Sequence, residues 1–213
     1  MNIKSVIVGA FETNCYIVWN KENQAIVIDP GDEAERILAE IKKYNLSVIR
    51  YMLTHGHVDH ITAVRKLSAH MPASVIIHKA DAEWAFTSEN SFEPYYSAPE
   101  KPSLLQFYPG DGSSILEEEG MRCRILYTPG HTPGSVCLYF PDESLLFSGD
   151  TLFAGSVGRT DLPGGDSLML KSSLQKLMEL PDRVIVYPGH GLATSIASEK
   201  ENNPFLSGSA EAF

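Results

Sequence analysis

Six consecutive residues, His55-Gly56-His57-Val58-Asp59-His60, put three histidines and an aspartate one residue after the apolar run "SVIRYML". Burying that many titratable side chains without partners is prohibitively costly, so they must share a ligand or one another. The end of this strand-like run is therefore the floor of a site, and the rest of the chain must fold so that complementary groups reach it. Three further segments end in the same way. "YTPGHTPGS" carries His131, "VYPGHG" carries His190 and "LLFSGDT" carries Asp150, each where an apolar run meets a Gly-rich turn. Side chains at strand ends converge when those ends lie along one edge of the sheets. Gly56, Gly130, Gly149, Gly189 and Gly191 let such turns bend and let backbone approach a bound ion.

The order of the remaining patterns agrees. Strands are predicted in "IKSVIVG", "CYIVWN" and "AIVIDPG", followed by a helix in "DEAERILAEIKKYN", whose acids come early and lysines late, as the helix dipole prefers. "SVIRYML" leads through the His/Asp run into a helix over "ITAVRKLSAH", then a strand in "SVIIHK" and a short helix in "ADAEWAF". Residues 87–103, polar and proline-bearing with Phe92, Tyr95 and Tyr96, form a loop that either covers the site or packs on the body. Strands follow in "SLLQFYP", "SILEE" and "MRCRILYTPG", then a hairpin in "SVCLYFPDESLLFSGD", a helix in "GDSLMLKSSLQKLMEL", a strand in "DRVIVYPGH" and a helix in "TSIASEKEN". The tail "SGSAEAF" is expected to fray. Two halves of the same make-up predict one α+β domain over residues 1–213, with two sheets face to face and helices on both outer faces.

The converging set is five imidazoles and two carboxylates. That is too much nitrogen for magnesium or calcium, and it suits zinc, iron or manganese. It also exceeds what one tetrahedral ion needs. Two divalent ions account for all seven: His55, His57 and His131 for one, Asp59, His60 and His190 for the other, with Asp150 between them. Zinc is the first expectation, since a bound ion lowers the pKa of its water to about 7 and a second ion clamps the nucleophile. No G-x-S-x-G nucleophile elbow is present, so a metal-bridging hydroxide oriented by Asp59 is the expected nucleophile. His70 and His78 read as ordinary satisfied polar residues.

These residues resemble the metallo-β-lactamase fold superfamily, whose fold is an αββα sandwich. "NCYIV", "VIDPG", "TPGHTPGS", "FSGDTLF", "GRTDLPGGD", "YPGHG" and "EKENNPFL" look like its single-domain hydroxyacylglutathione hydrolase-like (glyoxalase II-like) branch. The resemblance implies the same metal roles for the seven residues, and a small-molecule acylthiol such as a hydroxyacyl-glutathione as substrate. Glyoxalase II enzymes add a helical C-terminal segment that contacts glutathione. This sequence runs only a few residues past "NNPFL", so the resemblance implies thioester hydrolysis without fixing the thiol carrier. Arg159, in the loop after Asp150, either meets a substrate carboxylate or pairs with Asp161 to hold the loop. The alternative is a mononuclear iron persulfide dioxygenase, whose members resemble this chain in "HIT" after the ligand run and in "GRTD". Lactonase or other ester hydrolysis and a non-enzymatic metal-binding module rank lower.

Composition narrows the partners. A net charge of −10 disfavours nucleic acid and anionic membranes, both of which need a basic face. Cys15, Cys123 and Cys137 are too widely spaced for a C-x-x-C knuckle, and Cys123 and Cys137 sit in apolar alternating runs. With no signal-peptide pattern at the N-terminus, a reduced, cytoplasmic setting is expected, which also weighs against a β-lactamase role.

Overall fold

The computed structural model describes residues 1–109 and 114–206, so the expectation for the tail "SGSAEAF" lies outside the described residues. In the first half, β1 (Asn2–Val8), β2 (Thr13–Trp19) and β3 (Gln24–Ile28) form an antiparallel meander. Helix α1 (Ala34–Lys43) then carries the chain back to β4 (Ser47–Met52), which lies parallel to β3. Helices α2 (Val58–Ile61) and α3 (Val64–His70) lead to β5 (Ser74–Ile77), and α4 (Lys79–Ala82) with the following loop leads to β6 (Leu105–Phe107). These strands make a six-stranded mixed sheet in the order β1-β2-β3-β4-β5-β6.

The second half supplies β7 (Ser114–Glu118), β8 (Met121–Tyr127), β9 (Val136–Phe140), β10 (Leu145–Gly149), the small hairpin β11 (Leu152–Phe153) and β12 (Ser156–Val157), α5 (Ser167–Met178), β13 (Ile185–Pro188), β14 (Thr194–Ser195) and α6 (Ile196–Asn202). Its six-stranded mixed sheet runs β14-β13-β10-β9-β8-β7.

Period-two alternation sorts side chains into separate apolar layers. Along β3, Ile26 and Ile28 face Leu138, Phe140 and Phe147 of the other sheet. Ala25 and Val27 face the opposite way, onto Ile37 and Ile41 of α1 and Val64 and Leu67 of α3. Along β9, Cys137 and Tyr139 meet Leu170, Leu174 and Leu177 of α5 and Ile196 of α6. The result is the expected αββα arrangement. All three cysteines are buried among these apolar layers.

Three local expectations need correcting. The helix predicted over 61–70 starts earlier, at Val58, and breaks at Thr62 and Ala63 into two pieces. The early start places Asp59 and His60 on the first turn, directly beneath the extended residue His57. The residues after Asp150 make the β11–β12 hairpin, too short to show a periodic pattern. Thr194 and Ser195, expected in the last helix, instead pair with β13. Ser195 then caps α6, its hydroxyl accepting from the Ser198 N–H.

Candidate metal centre

The two sheets meet the site along one edge. Thr13 of β2 bridges to His190 beyond β13, and Asn14 N–H donates to the Gly189 carbonyl at 2.7 Å. The Asn14 side chain donates to the carbonyls of Pro188 and Gly191, and the Tyr16 hydroxyl to that of Pro188. Residues of the first sheet thereby fix the turn that presents His190.

All seven predicted residues come together. His55, His57 and His131 form one group with mutually close donor atoms, and Asp59, His60 and His190 form a second. Asp150 lies between them: one oxygen is 3.4 Å from His60 Nε2, the other 3.7 Å from His131 Nε2 and 3.5 Å from His190 Nε2. A Cβ on Gly189 would lie 2.1 Å from the Asp150 carboxylate, so only glycine lets the His190 turn approach this closely.

The outer ring nitrogens are already committed. Thr54 donates its hydroxyl to Asp29 at 2.6 Å, which leaves that oxygen to accept from His55 Nδ1 at 3.0 Å. His60 Nδ1 donates to Asp29, His131 Nδ1 to the Arg159 carbonyl at 2.8 Å, and His190 Nδ1 to the Phe11 carbonyl at 3.0 Å. Such contacts fix each ring's tautomer and aim. The inner nitrogens therefore turn toward one another, with His60 Nε2 3.2 Å from His190 Nε2 and His57 Nδ1 2.9 Å from His131 Nε2. His55 Nε2 and Asp150 Oδ1 are buried with no hydrogen-bond partner. Ring nitrogens crowded against one another, an orphaned imidazole nitrogen and an orphaned carboxylate oxygen are what a cation would satisfy. The donors are nitrogen and carboxylate oxygen, so the residues fit divalent ions of the zinc, iron or manganese type. Asp29 lies close enough to group with His55 and His60, but it accepts from Thr54 N, the Thr54 hydroxyl and His60 and acts as their anchor.

The two groups differ electrostatically. Burial, then the neighbouring His60, His57 and His131 rings, pushes His55 well below the ordinary imidazole value. Burial followed by His131 lowers His57 to about 3. Burial also acts against the charged form of His60, yet Asp150, Asp59 and Asp29 raise it to about 10. In His190, burial is likewise outweighed, by the bond to Asp59 and the charge of Asp150. Burial would raise Asp59, but His60, His190 and the hydroxyl of Thr13, 2.9 Å away, hold it below the usual carboxylate range. His55 and His57 are thus held as neutral bases, while His60 and His190 favour protons where a metal ion would take their place.

A cavity of about 1190 Å³ opens onto His57, Asp59, His131, Asp150 and His190. Arg159 lines it, but its guanidinium is gripped by both Asp161 oxygens at 2.7 and 2.6 Å. Of the two roles weighed for Arg159, the ion pair is the one present. Loop 87–103 does both: Glu89 to Phe92 line the cavity, and the loop packs on the body. The Phe11 ring meets those of Phe92, Tyr95 and Tyr96 at 5.1, 5.6 and 5.2 Å, and the Tyr96 hydroxyl accepts from Ala10 N–H. Asn90 donates to the Gly56 carbonyl from the same loop. His70 and His78 lie outside the centre; His78 caps α4 and stacks on Tyr127.

Sequence reasoning missed the residues behind the ligands. Asp29 ends a strand before a Pro-Gly turn, the pattern that singled out Asp150, and was open to the same reading. Asp81, fully buried in α4, carries no such signal. It accepts from Gly56 N at 2.8 Å, Gly134 N at 2.6 Å and the Thr132 hydroxyl at 2.7 Å, tying together the two turns that present His55, His57 and His131.

Comparison with known proteins adds independent findings. A family model described as the metallo-beta-lactamase superfamily matches residues 8–190. The hydroxyacylglutathione hydrolase GloC of Haemophilus influenzae is 38% identical over 217 residues, 97% of this chain and 98% of the relative. Among solved structures, the BLEG-1 B3 metallo-beta-lactamase superposes with a TM-score of 0.91 at 35% identity, covering 97% of this chain and all of the other (100%). A protein designated TTHA1623, solved in a di-iron-bound form, gives a TM-score of 0.84 at 36% identity over 95% of this chain and 100% of the other.

Proposed function

The chain belongs to the metallo-beta-lactamase superfamily, and on that premise we propose that it is a dinuclear metal-dependent hydrolase of small acylthiols, hydroxyacyl-glutathione among them. The observation that carries this reading is the seven-residue cluster, with His55 Nε2 and Asp150 Oδ1 orphaned inside it and five of its members lining an open cavity. His55, His57 and His131 would hold one ion, Asp59, His60 and His190 the other, and Asp150 both. Two zinc ions there would supply a hydroxide at neutral pH and positive charge against the developing oxyanion. The chain's own residues do the positioning. Thr13 fixes the Asp59 carboxylate, which would orient the nucleophile once the ions are bound, and Asp29 fixes the His60 ring. No serine or cysteine attack is needed, and the three thiols are buried away from the cavity.

The test joins metal analysis with a panel of thioesters that includes S-lactoylglutathione. Two divalent ions per chain and metal-dependent release of thiol are expected, and Asp150→Ala should lose metal and turnover together. One iron per chain, with oxygen consumed on a persulfide, would replace this reading with the dioxygenase alternative. The fit to a protein described as a B3 metallo-beta-lactamase makes a β-lactam amide the second substrate class. A chromogenic cephalosporin cleaved faster than every thioester would favour it. The three free, buried cysteines are the ground on which we place the protein in a reducing, cytoplasmic setting.

A further inference from the structure

We infer that the cavity grips its thioester through an apolar acyl chain and does not read charge on the thiol carrier. The inference rests on the hydrolase reading and narrows its substrate class. The cavity, at about 1190 Å³, is far larger than a two- or three-carbon hydroxyacyl group needs. Phe11, Trp84 and Phe92 from the first half of the chain line it, with Phe153, Val157 and Leu162 from the second. The apolar surface reaches both ligand groups. The Trp84 ring is 5.6 Å from that of His57, and the Phe153 ring 6.3 Å from that of His190. An acyl chain attached at the reacting carbonyl would therefore meet aromatic surface at once, whichever group it leaves from.

The charged lining runs the other way. Apart from the metal-ligand residues, Glu89 and Arg159 are the charged side chains on the described wall. A glutathione carrier brings two carboxylates and one ammonium. Recognition of those carboxylates needs cations in fork or point geometry. The one arginine on the wall is held bidentately by Asp161, and the chain as a whole is at −10. Apolar contact is thus the recognition this wall offers, and carrier charge goes unmatched.

Non-hydrolysable thioethers separate binding from turnover. Titration calorimetry on the metal-loaded protein would compare S-hexyl-N-acetylcysteamine, S-hexylglutathione and the S-methyl form of each. Hexyl should bind at least on the order of tenfold more tightly than methyl on either carrier, because the added methylenes leave water. The uncharged carrier should bind as tightly as glutathione or more so. Phe92, half-exposed at 51%, can be changed with little risk to the fold. Phe92→Ser should weaken the hexyl ligands several-fold and spare the methyl ones, while Phe92→Leu restores hexyl binding. Tighter binding of S-hexylglutathione than of the uncharged analogue, or no gain from methyl to hexyl, overturns the inference. If the thioethers bind in the expected order but no thioester is cleaved, the hydrolase reading fails and the binding trough stands. If thioesters are cleaved but glutathione is preferred, the trough fails alone.

Discussion

Replacing Asp81 with asparagine changes one oxygen for an NH2 and little else, yet it should loosen half of the metal centre. Asp81 Oδ1 accepts from Gly134 N, and Oδ2 accepts from Gly56 N and the Thr132 hydroxyl. The two backbone groups can only donate, and they sit on different oxygens. Whichever way the amide is turned, its NH2 faces an N–H. Burial raises the Asp81 pKa, while Thr132, Gly134 and Gly56 pull it back down, and the ionised carboxylate satisfies all of these donors at once. The cost of Asp81→Asn is one charge-assisted bond lost plus a buried donor unsatisfied, about 2–4 kcal/mol together. Gly56 separates His55 from His57, and Thr132 and Gly134 follow His131 in its turn, so the strain falls on that ligand group. The His190 turn, held by Asn14 and Tyr16, is not touched. Chelator competition should show one of two ions weakened by about 10–100-fold, the usual scale for residues that support ligands. Urea unfolding of the metal-free protein should show the stability loss. An Asp81→Asn protein with unchanged affinity for both ions and an unchanged unfolding midpoint would refute the clamp.

Other consequences follow from the same geometry. In the metal-free protein the His60 pKa is raised from 6.5 to about 10, so its stabilising contribution is fully present below 6.5 and lost as pH rises through about 10. NMR should find His60 doubly protonated at pH 8 without metal, and metal affinity should rise with pH as that proton is displaced; a neutral ring at pH 8 contradicts this. Glu199, buried at 2%, accepts from Gly155 N, the Thr194 hydroxyl and Asn203, which in turn donates to the Ser156 carbonyl. Glu199→Ala should cost roughly 2–4 kcal/mol in urea unfolding by freeing the β11–β12 hairpin, and a change under about 0.5 kcal/mol would deny it that role. His78→Ala should leave metal content unchanged by elemental analysis, because the ring caps α4 and stacks on Tyr127 outside the centre.

The parts of this fold legible in the sequence are those where one residue type has a single economical use. Ile26 and Ile28 alternating with Ala25 and Val27 announce a strand buried on both faces, and the structure puts the two pairs into different apolar layers. His55 to His60 announce a site for the same reason: no strand end tolerates that crowding unless the groups converge. The supporting residues speak more quietly because their partners are backbone groups far along the chain. Asp81 bonds residues 25 and 53 positions away, and Asn14 bonds a carbonyl 174 positions away. A lone aspartate in "ADAEWAF" looks like any helix acid, since nothing local records what it will face once folded. Arg159 shows the same limit from the other side. Its guanidinium, the part with an obvious use, is spent on Asp161, while its carbonyl, which every residue has, aims His131. The ligands are therefore written as residue types, but their aim is written as backbone position, which depends on the fold as a whole. That division explains why the metal chemistry emerged from seven residues in four short motifs, while the clamp behind it required every strand to be in place.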